Sequence, residues 1–178
     1  ADVNMTNHKG LSPIIWASSV NSTEMVELLL INGADVNRVY HGNGLTPLML
    51  ASIRGNAKNI QVMINYSADV NKRCYNGTTA LMRASMNGHF DVVELLIKHS
   101  DVNAIDHDGN SALILALRYG FFKIVKLLLN NSADVNMTNH KGLSPIIWAS
   151  SVNSTEMVEL LLINGADVNR VYHGNGLT

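Results

Sequence analysis

Short apolar segments alternate with polar, glycine-containing turns along the whole chain. The first apolar segment of each cycle follows a Ser or Thr, as in the stretch 11–16, which reads Leu-Ser-Pro-Ile-Ile-Trp. The second has apolar residues at helical spacing, in the first cycle Met25, Val26, Leu28, Leu29 and Leu30. The pattern therefore predicts pairs of short helices, each with one broad apolar face.

Local signals mark where these helices begin. A Ser or Thr side chain can cap the first free N–H groups, and proline fits the first helical position because no N–H is needed there. This combination occurs at Ser12-Pro13, Thr46-Pro47 and Ser144-Pro145, and the cap alone at Thr79 and Ser111. The second helix of a pair is predicted to follow Gly55, Gly88 or Gly120, or Asn21 in the first cycle.

Glycine marks the end of the second helix. Gly33 and Gly165 stand where a left-handed residue closes a helix, a conformation that glycine tolerates best. Ser67, Ser100 and Ser132 occupy the matching positions. We predict that these serines adopt the left-handed conformation at some cost in stability.

The string Asp-Val-Asn sets the length of the cycle. Its Asn occurs at 4, 37, 71, 103, 136 and 169, with spacings of 33, 34, 32, 33 and 33 residues. A fixed period of this length is typical of solenoid proteins, in which each unit buries its apolar face against its neighbours.

The order of motifs within each cycle resembles the ankyrin repeat. The resemblance rests on the Ser/Thr-Pro/Ala-Leu/Ile step, as in Leu-Thr-Pro-Leu at 45–48, and on the closing Gly-Ala-Asp-Val-Asn at 33–37. It covers the whole chain and implies an all-α solenoid of stacked helix pairs with hairpin-like turns, in one domain 1–178. We expect five full repeats and two partial ones, with boundaries 5–37, 38–71, 72–103, 104–136 and 137–169 and partial repeats 1–4 and 170–178.

A longer repeat lies above the first, because residues 1–46 are identical to 133–178. The offset of 132 residues corresponds to four repeats. Three origins fit this identity: a recent duplication, a longer tandem array of four-repeat blocks of which the chain is a window, or an engineered repeat scaffold. Neither end carries a polar capping repeat, so we also expect self-association through uncapped ends.

Composition narrows the class of partner. The chain has 178 residues and a formal net charge of −1, which gives no electrostatic footprint for nucleic acid or an anionic membrane. No apolar run approaches the ~20 residues of a transmembrane helix, and no signal-peptide pattern occurs. The single cysteine, Cys74, suits a reducing compartment. We therefore expect a cytoplasmic protein that binds neither nucleic acid nor membranes.

The histidines predict no metal site and no cofactor. Five of the seven stand in the turns, about one in each cycle: His8, His41, His107, His140 and His173. They are spread along the stack and lack the short spacing of zinc ligands. For His89, which follows a glycine as in the ankyrin pattern, the resemblance implies a structural role.

The remaining titratable residues predict no catalytic site. The cluster 106–108, Asp-His-Asp, fits a solvated turn better than general acid–base chemistry, which needs a pocket. Cys74 has Lys72 and Arg73 in the same turn, and we expect a solvated thiol. An enzymatic function is therefore not expected.

The resemblance also implies where a partner binds, namely the turn tips and the exposed, concave side of the first helices. The turn-tip candidates are Tyr40, His41, Arg73, Tyr75 and His107. The helix candidates are Ile53, Arg54, Met86, Arg118 and Tyr119. Tyr and Arg are enriched where binding energy concentrates, although isolated exposed aromatics are also common on any surface.

Two features concern packing between the repeats. Trp16 and Trp148 follow the helix-start step and are expected to pack inside the stack. The histidine of the family's step, which ties neighbouring repeats by hydrogen bonds, is replaced here by Ile15, Met49, Met82 and Ile114. We therefore expect apolar contact between repeats and a stability that depends little on pH.

The sequence leaves two main functions open. The first is an interaction scaffold that binds a protein partner. The second is a structural tandem array, such as a spacer, spring or filament, built from four-repeat blocks.

Overall fold

Ten α-helices make up the structured part of the chain in the computed structural model, which describes residues 2–20 and 22–169. In chain order they are α1 (Pro13–Ser19), α2 (Thr23–Ile31), α3 (Pro47–Arg54), α4 (Ala57–Asn65), α5 (Ala80–Met86), α6 (Phe90–Leu96), α7 (Ala112–Arg118), α8 (Phe122–Asn130), α9 (Pro145–Ser151) and α10 (Thr155–Ile163). An isolated antiparallel bridge joins Ile105 and Ser111. The predicted all-α solenoid is confirmed, whereas Asn21, His173 and the partial repeat 170–178 lie outside the described residues.

The predicted caps begin the first helix of four pairs. The side chains of Ser12, Thr46, Thr79 and Ser111 each accept the backbone N–H three residues later, at 3.2–3.5 Å. Ser144 is the exception: it stands at the start of α9 but accepts no capping hydrogen bond, and its hydroxyl is buried without a partner.

The ends of the second helices follow the prediction at four positions of five. Gly33, Gly165, Ser67 and Ser132 all have positive φ, between 62° and 87°. The prediction is wrong for Ser100, which is not left-handed. The third cycle is one residue shorter there, α6 ends early at Leu96, and the Ser100 hydroxyl donates to the Leu96 carbonyl at 2.8 Å.

The helix pairs stack side by side in chain order. The odd-numbered helices pack in one layer, α2, α4, α6 and α8 pack in a second, and each pair is closed by contacts between its own two helices. One continuous apolar core runs through the layers. Ile15, Met49, Met82 and Ile114 are each at most 2% exposed, so the interface between first helices is apolar at these positions, as expected from the sequence.

A ladder of asparagine side chains joins the turns. Its rungs are Asn4, Asn37, Asn71, Asn103 and Asn136. Each side-chain oxygen accepts the N–H of the Asp in the next Asp-Val-Asn, at 2.7–2.9 Å. Each side-chain amide donates to a carbonyl beyond the next second helix, at 3.0–3.4 Å. The residue that marks the period therefore also cross-links the stack.

The broad apolar face predicted for α2 is only partly buried. Val26 and Leu30 lie in the core, but Met25 and Leu28 are exposed. The cause is position, because no helix pair precedes α1 in the described residues. Where α7 and α8 precede the identical residues, the equivalent of Met25, Met157, is buried.

Candidate functional site

The turn tips form a continuous row. The row holds all five turn-tip candidates: Tyr40, His41, Arg73, Tyr75 and His107. Backbone hydrogen bonds link one tip to the next, since the N–H of Tyr75 donates to the Asn43 carbonyl at 3.2 Å and that of His107 to the Asn76 carbonyl at 3.0 Å. The tips are therefore held in register before any partner binds.

The side chains of the tips rest on glycines of the preceding turn. A Cβ at Gly44 would lie 2.5 Å from a ring carbon of Tyr75, and one at Gly77 would lie 2.7 Å from the ring of His107. Both glycines have positive φ, so the turns require glycine on two counts. Arg73 donates to a backbone carbonyl of the next turn. Tyr75 nevertheless remains 59% exposed, so its outer ring surface is free for contact.

The helix candidates lie at the C-terminal ends of α3, α5 and α7. Arg54, Arg118 and Tyr119 are exposed there. Ile53 and Met86 were predicted to be exposed but are partly buried against the core. Each lies one turn after a core position of its helix, so part of its side chain faces the neighbouring helix. The surface that these helix ends offer is therefore chiefly Arg and Tyr.

An aromatic and arginine cluster joins the C-terminal end of α7 to the middle of α9. The guanidinium carbon of Arg118 lies 5.7 Å from the ring centre of Tyr119 and 5.6 Å from that of Trp148. The ring of Tyr119 stacks on Phe121, with centroids 6.5 Å apart. Arginine over an aromatic face is a favourable cation–π arrangement. The cluster is thus ordered by its own contacts and still presents Tyr119, which is 47% exposed.

The prediction that both tryptophans pack inside the stack is wrong for Trp16. Trp16 is 61% exposed, whereas Trp148 is partly buried and packs against the core. Trp16 borders a small groove of about 180 Å³ that also includes Tyr40 and Leu50. This groove connects the turn-tip row to the surface of the first helices.

Cys74 is buried, not solvated, with 4% of its surface exposed. Its sulfur lies 2.8 Å from the side-chain oxygens of Asn76 and Thr78 and 3.5 Å from the Arg83 guanidinium. Burial raises the pKa of the thiol, but the contacts with Thr78, Arg83 and Asn76 outweigh burial and leave the pKa below its ordinary value. The basic neighbour therefore comes from α5 and not from its own turn.

Two of the described histidines, His89 and His140, link neighbouring repeats. His89 Nε2 lies 2.9 Å from the Ile53 carbonyl, and His140 Nδ1 lies 3.1 Å from the His107 carbonyl. Within residues 2–20 and 22–169, no three His, Cys, Asp or Glu side chains come together as a metal site would require. The structural role implied for His89 agrees with this contact.

Asp106 is not part of a solvated cluster. It is buried, and its carboxylate accepts the N–H groups of Asp108 at 2.9 Å and Asn110 at 2.8 Å. His107 and Asp108 are exposed beside it. The carboxylate is used to hold the turn.

Sequence reasoning missed the role of the position that Trp16 and Trp148 occupy. The same position holds Leu50, Arg83 and Leu115 in the other helix pairs. Arg83 is one of these five residues, and a charged side chain indicates that the position reaches solvent. This signal could have identified Trp16 as a surface residue. The asparagine ladder had a signal as well, since the recurrence of Asn at every cycle was plain in the sequence.

No helix among the described residues is long and apolar enough to cross a membrane. The family model for ankyrin repeats (3 copies) matches the chain over residues 14–106 and 95–172. A putative ankyrin repeat protein of Rickettsia conorii is 44% identical over 39 residues, which is 22% of this chain and 72% of that protein. Together with the ten stacked helices, these matches show that the chain belongs to the ankyrin repeat family.

Proposed function

We propose that the chain is a scaffold that binds a protein partner through its turn tips and the adjoining ends of the first helices. Ankyrin repeats generally mediate protein–protein interaction. The observation that carries the proposal is the cluster of Arg118, Tyr119 and Trp148, where an exposed tyrosine is held beside a stacked arginine. Tyr, Trp and Arg are the residues that most often dominate the energy of an interface.

Order in the free protein also supports this surface. The hydrogen bonds between tips hold the backbone at Tyr75 and His107 in register, and one edge of the Tyr75 ring packs against Gly44. A binding surface that is already ordered loses less conformational entropy when a partner arrives. The groove beside Tyr40 would accept an apolar side chain of the partner.

A protein is the proposed partner because the charge favours no polyanion. The formal net charge is −1, while nucleic-acid-binding surfaces are strongly basic. Neither a membrane nor nucleic acid is therefore proposed as a ligand. The same surface has no arrangement that resembles a catalytic site, so the proposal is for binding alone.

Quantitative affinity capture tests this proposal. The bait variant Arg54→Ala/Tyr119→Ala removes two exposed side chains at the ends of α3 and α7. Its matched control, Lys58→Ala/Lys126→Ala, removes two exposed side chains from the second helices. We expect proteins captured by the wild type to be lost with the first variant and kept with the control, both variants having the wild-type melting temperature. Equal capture by all three baits would contradict the proposed surface.

A structural tandem array is the second candidate function. The observation that favours it is the identity of 1–46 and 133–178, which presents the same helix pair at both ends of the stack. Simple end-to-end addition would place this pair twice in succession, so the four-pair order continues from one copy to the next only where one of the two identical pairs is shared. Microscopy of concentrated protein tests this candidate, and the absence of regular assemblies would count against it.

A further inference from the structure

The two identical helix pairs, α1–α2 and α9–α10, expose opposite sides. We call the side of a pair that meets the preceding pair its leading face, formed in α9–α10 by Asn139, Pro145, Trp148 and Met157. The same residues of α1–α2 are Asn7, Pro13, Trp16 and Met25. The pair α9–α10 has its leading face covered by the preceding pair, chiefly through the contact of α7 with α9, whereas α1–α2 has none of the described helices before it.

The exposure of the methionine on the leading face differs between the two copies. Met157 is 3% exposed in the covered copy, and Met25 is 47% exposed in the uncovered one. In the uncovered copy the leading face contains an open groove of about 510 Å³, lined by apolar groups that include Pro13, Trp16 and Met25. Among the described residues the face at α1–α2 is therefore an uncovered copy of a site whose occupant is visible elsewhere in the same chain.

The occupant contributes specific polar contacts besides apolar ones. Across the covered face, Asn139 donates to Asn110 at 3.0 Å, and Arg118 stacks on Trp148 at 5.6 Å. The turn of α1–α2 is already shaped to repeat the first contact. Asn7 accepts the N–H groups two and four residues later at 2.9 and 3.1 Å, as Asn139 does at 3.0 Å.

The alternative is direct stacking of α1–α2 of one copy on α9–α10 of another. The described helix pairs contain no example of this contact. The opposite side of α1–α2, which includes Ile15 and Ser18, is covered by α3–α4. The equivalent Ile147 and Ser150 of α9–α10 are partly or fully exposed. In the first copy this side packs against α3–α4. In direct stacking the same side of α9–α10 would have to pack against an α1–α2 pair, whose sequence differs from that of α3–α4.

The pair α9–α10 is the more weakly held of the two. Within 5–37 seven apolar side chains are buried, and within the identical 137–169 only four are. The seven are Ile14, Ile15, Ala17, Val26, Leu30, Ala34 and Val36, and the four are Pro145, Ala149, Met157 and Leu161. Release of α9–α10 therefore exposes less apolar surface than release of α1–α2.

We propose that copies of this chain self-associate by exchange of a terminal helix pair: α1–α2 of one copy replaces α9–α10 on the α7–α8 pair of a second copy. The new interface has the same residues as the one it replaces, and the junction keeps the four-pair order of the chain. The proposal does not depend on partner binding, and it gives the structural-array candidate a mechanism.

Light scattering coupled to size exclusion tests the exchange with the 178-residue chain over a range of concentrations, before and after brief warming. We expect species at multiples of 19.4 kDa that form faster after warming, because warming releases α9–α10. Met25→Glu should shift association to at least tenfold higher concentration and leave the helical circular dichroism unchanged. The matched control is Ile31→Glu, since Ile31 and its equivalent Ile163 are both exposed, and it should behave as the wild type.

The same substitution in the second copy should act in the opposite direction. Met157→Glu weakens α9–α10 on α7–α8, frees the acceptor face and should shift association to lower concentration, and the double variant Met25→Glu/Met157→Glu should be monomeric. Three results would overturn the exchange: a wild type that stays monomeric throughout, a Met157→Glu variant that associates less than the wild type, or an Ile147→Glu variant that loses association as fully as Met25→Glu. The last result would leave the array candidate standing, with direct stacking of ends as its basis.

Discussion

Residues 5–37 and 137–169 have one sequence, yet opposite sides of their helix pairs are buried. Met25 is exposed where Met157 is buried, and Ser18 is buried where Ser150 is exposed. Even the helix caps differ, because Ser12 accepts a backbone N–H and Ser144 does not. In a stack whose units contact only their neighbours, burial is therefore a property of position as much as of the residue.

The largest expected effect comes from truncation of the same methionine in each copy. Met157→Ala should lower the free energy of unfolding of the last helix pair by about 2–5 kcal/mol, because it leaves a cavity under α7–α8. Met25→Ala should cost clearly less than Met157→Ala, because about half of the Met25 side chain is in solvent. Urea unfolding, combined with hydrogen exchange of α10, measures both.

A mirror pair on the other side of the unit serves as the control. Ile15 is buried under α3, while its equivalent Ile147 is partly exposed. Ile15→Ala should therefore cost more than Ile147→Ala, which reverses the order of the methionine pair. Equal losses in the two copies of either pair would contradict an assignment of burial by neighbours.

A smaller effect, of opposite sign, is expected at Asn59 in α4. Asn59 stands where α10 has Met157, is fully buried, and neither atom of its side-chain amide has a hydrogen-bond partner. A buried polar group without partners costs about 1–3 kcal/mol, so Asn59→Val should raise the free energy of unfolding by an amount in that range. Chemical denaturation measures the gain.

Gln61→Val is the matched control for Asn59→Val. Gln61 lies two residues later in α4 and is exposed, so this variant reports the change in helix propensity together with the loss of one exposed hydrogen bond, which Gln61 donates to Asn65 at 3.2 Å. A gain at Gln61 as large as at Asn59 would show that the buried amide is not the cause.

Most of the fold could be predicted from local sequence patterns, as the helix caps and the repeat period illustrate. Thr46 and Thr79 were read correctly because a cap depends on residues within one turn of helix. The period was visible because Asn71 and its equivalents recur at nearly constant spacing. These features need no knowledge of the neighbouring pairs.

The errors arose where a neighbour decides the outcome. Cys74 was expected in solvent, but Arg83 and Thr78 enclose it once α5 packs beside the turn. Trp16 and Trp148 lie in identical stretches of sequence, so any prediction from the sequence gives them the same burial. In the structure Trp16 is exposed and Trp148 packs under Arg118. The binding surface has the same limitation, because the row of tips exists only after the pairs have stacked.

The substitution Ser132→Gly tests for backbone strain in the turn that leads into the second copy. Its φ is 66°, so the side chain carries the left-handed penalty, and Ser132→Gly should stabilise the fold by roughly 0.5–1 kcal/mol. Ser100→Gly is the control, because Ser100 is not left-handed and its hydroxyl donates to the Leu96 carbonyl. A thermal melt in which Ser100→Gly rises and Ser132→Gly does not would show that the turn is governed by something other than backbone strain.

The smallest expected effect is that of pH between 7 and 5, and it applies to both copies alike. The interface between first helices contains Ile15 and Met82 where the family has histidine, so no imidazole is buried there. His89 and His140 do join neighbouring repeats, but each of these links is to an uncharged backbone carbonyl. The melting temperature should therefore change by less than the ~2–4 °C that 1 kcal/mol represents in a chain of this length. A steep loss of fold between pH 7 and 5 would contradict the apolar interface.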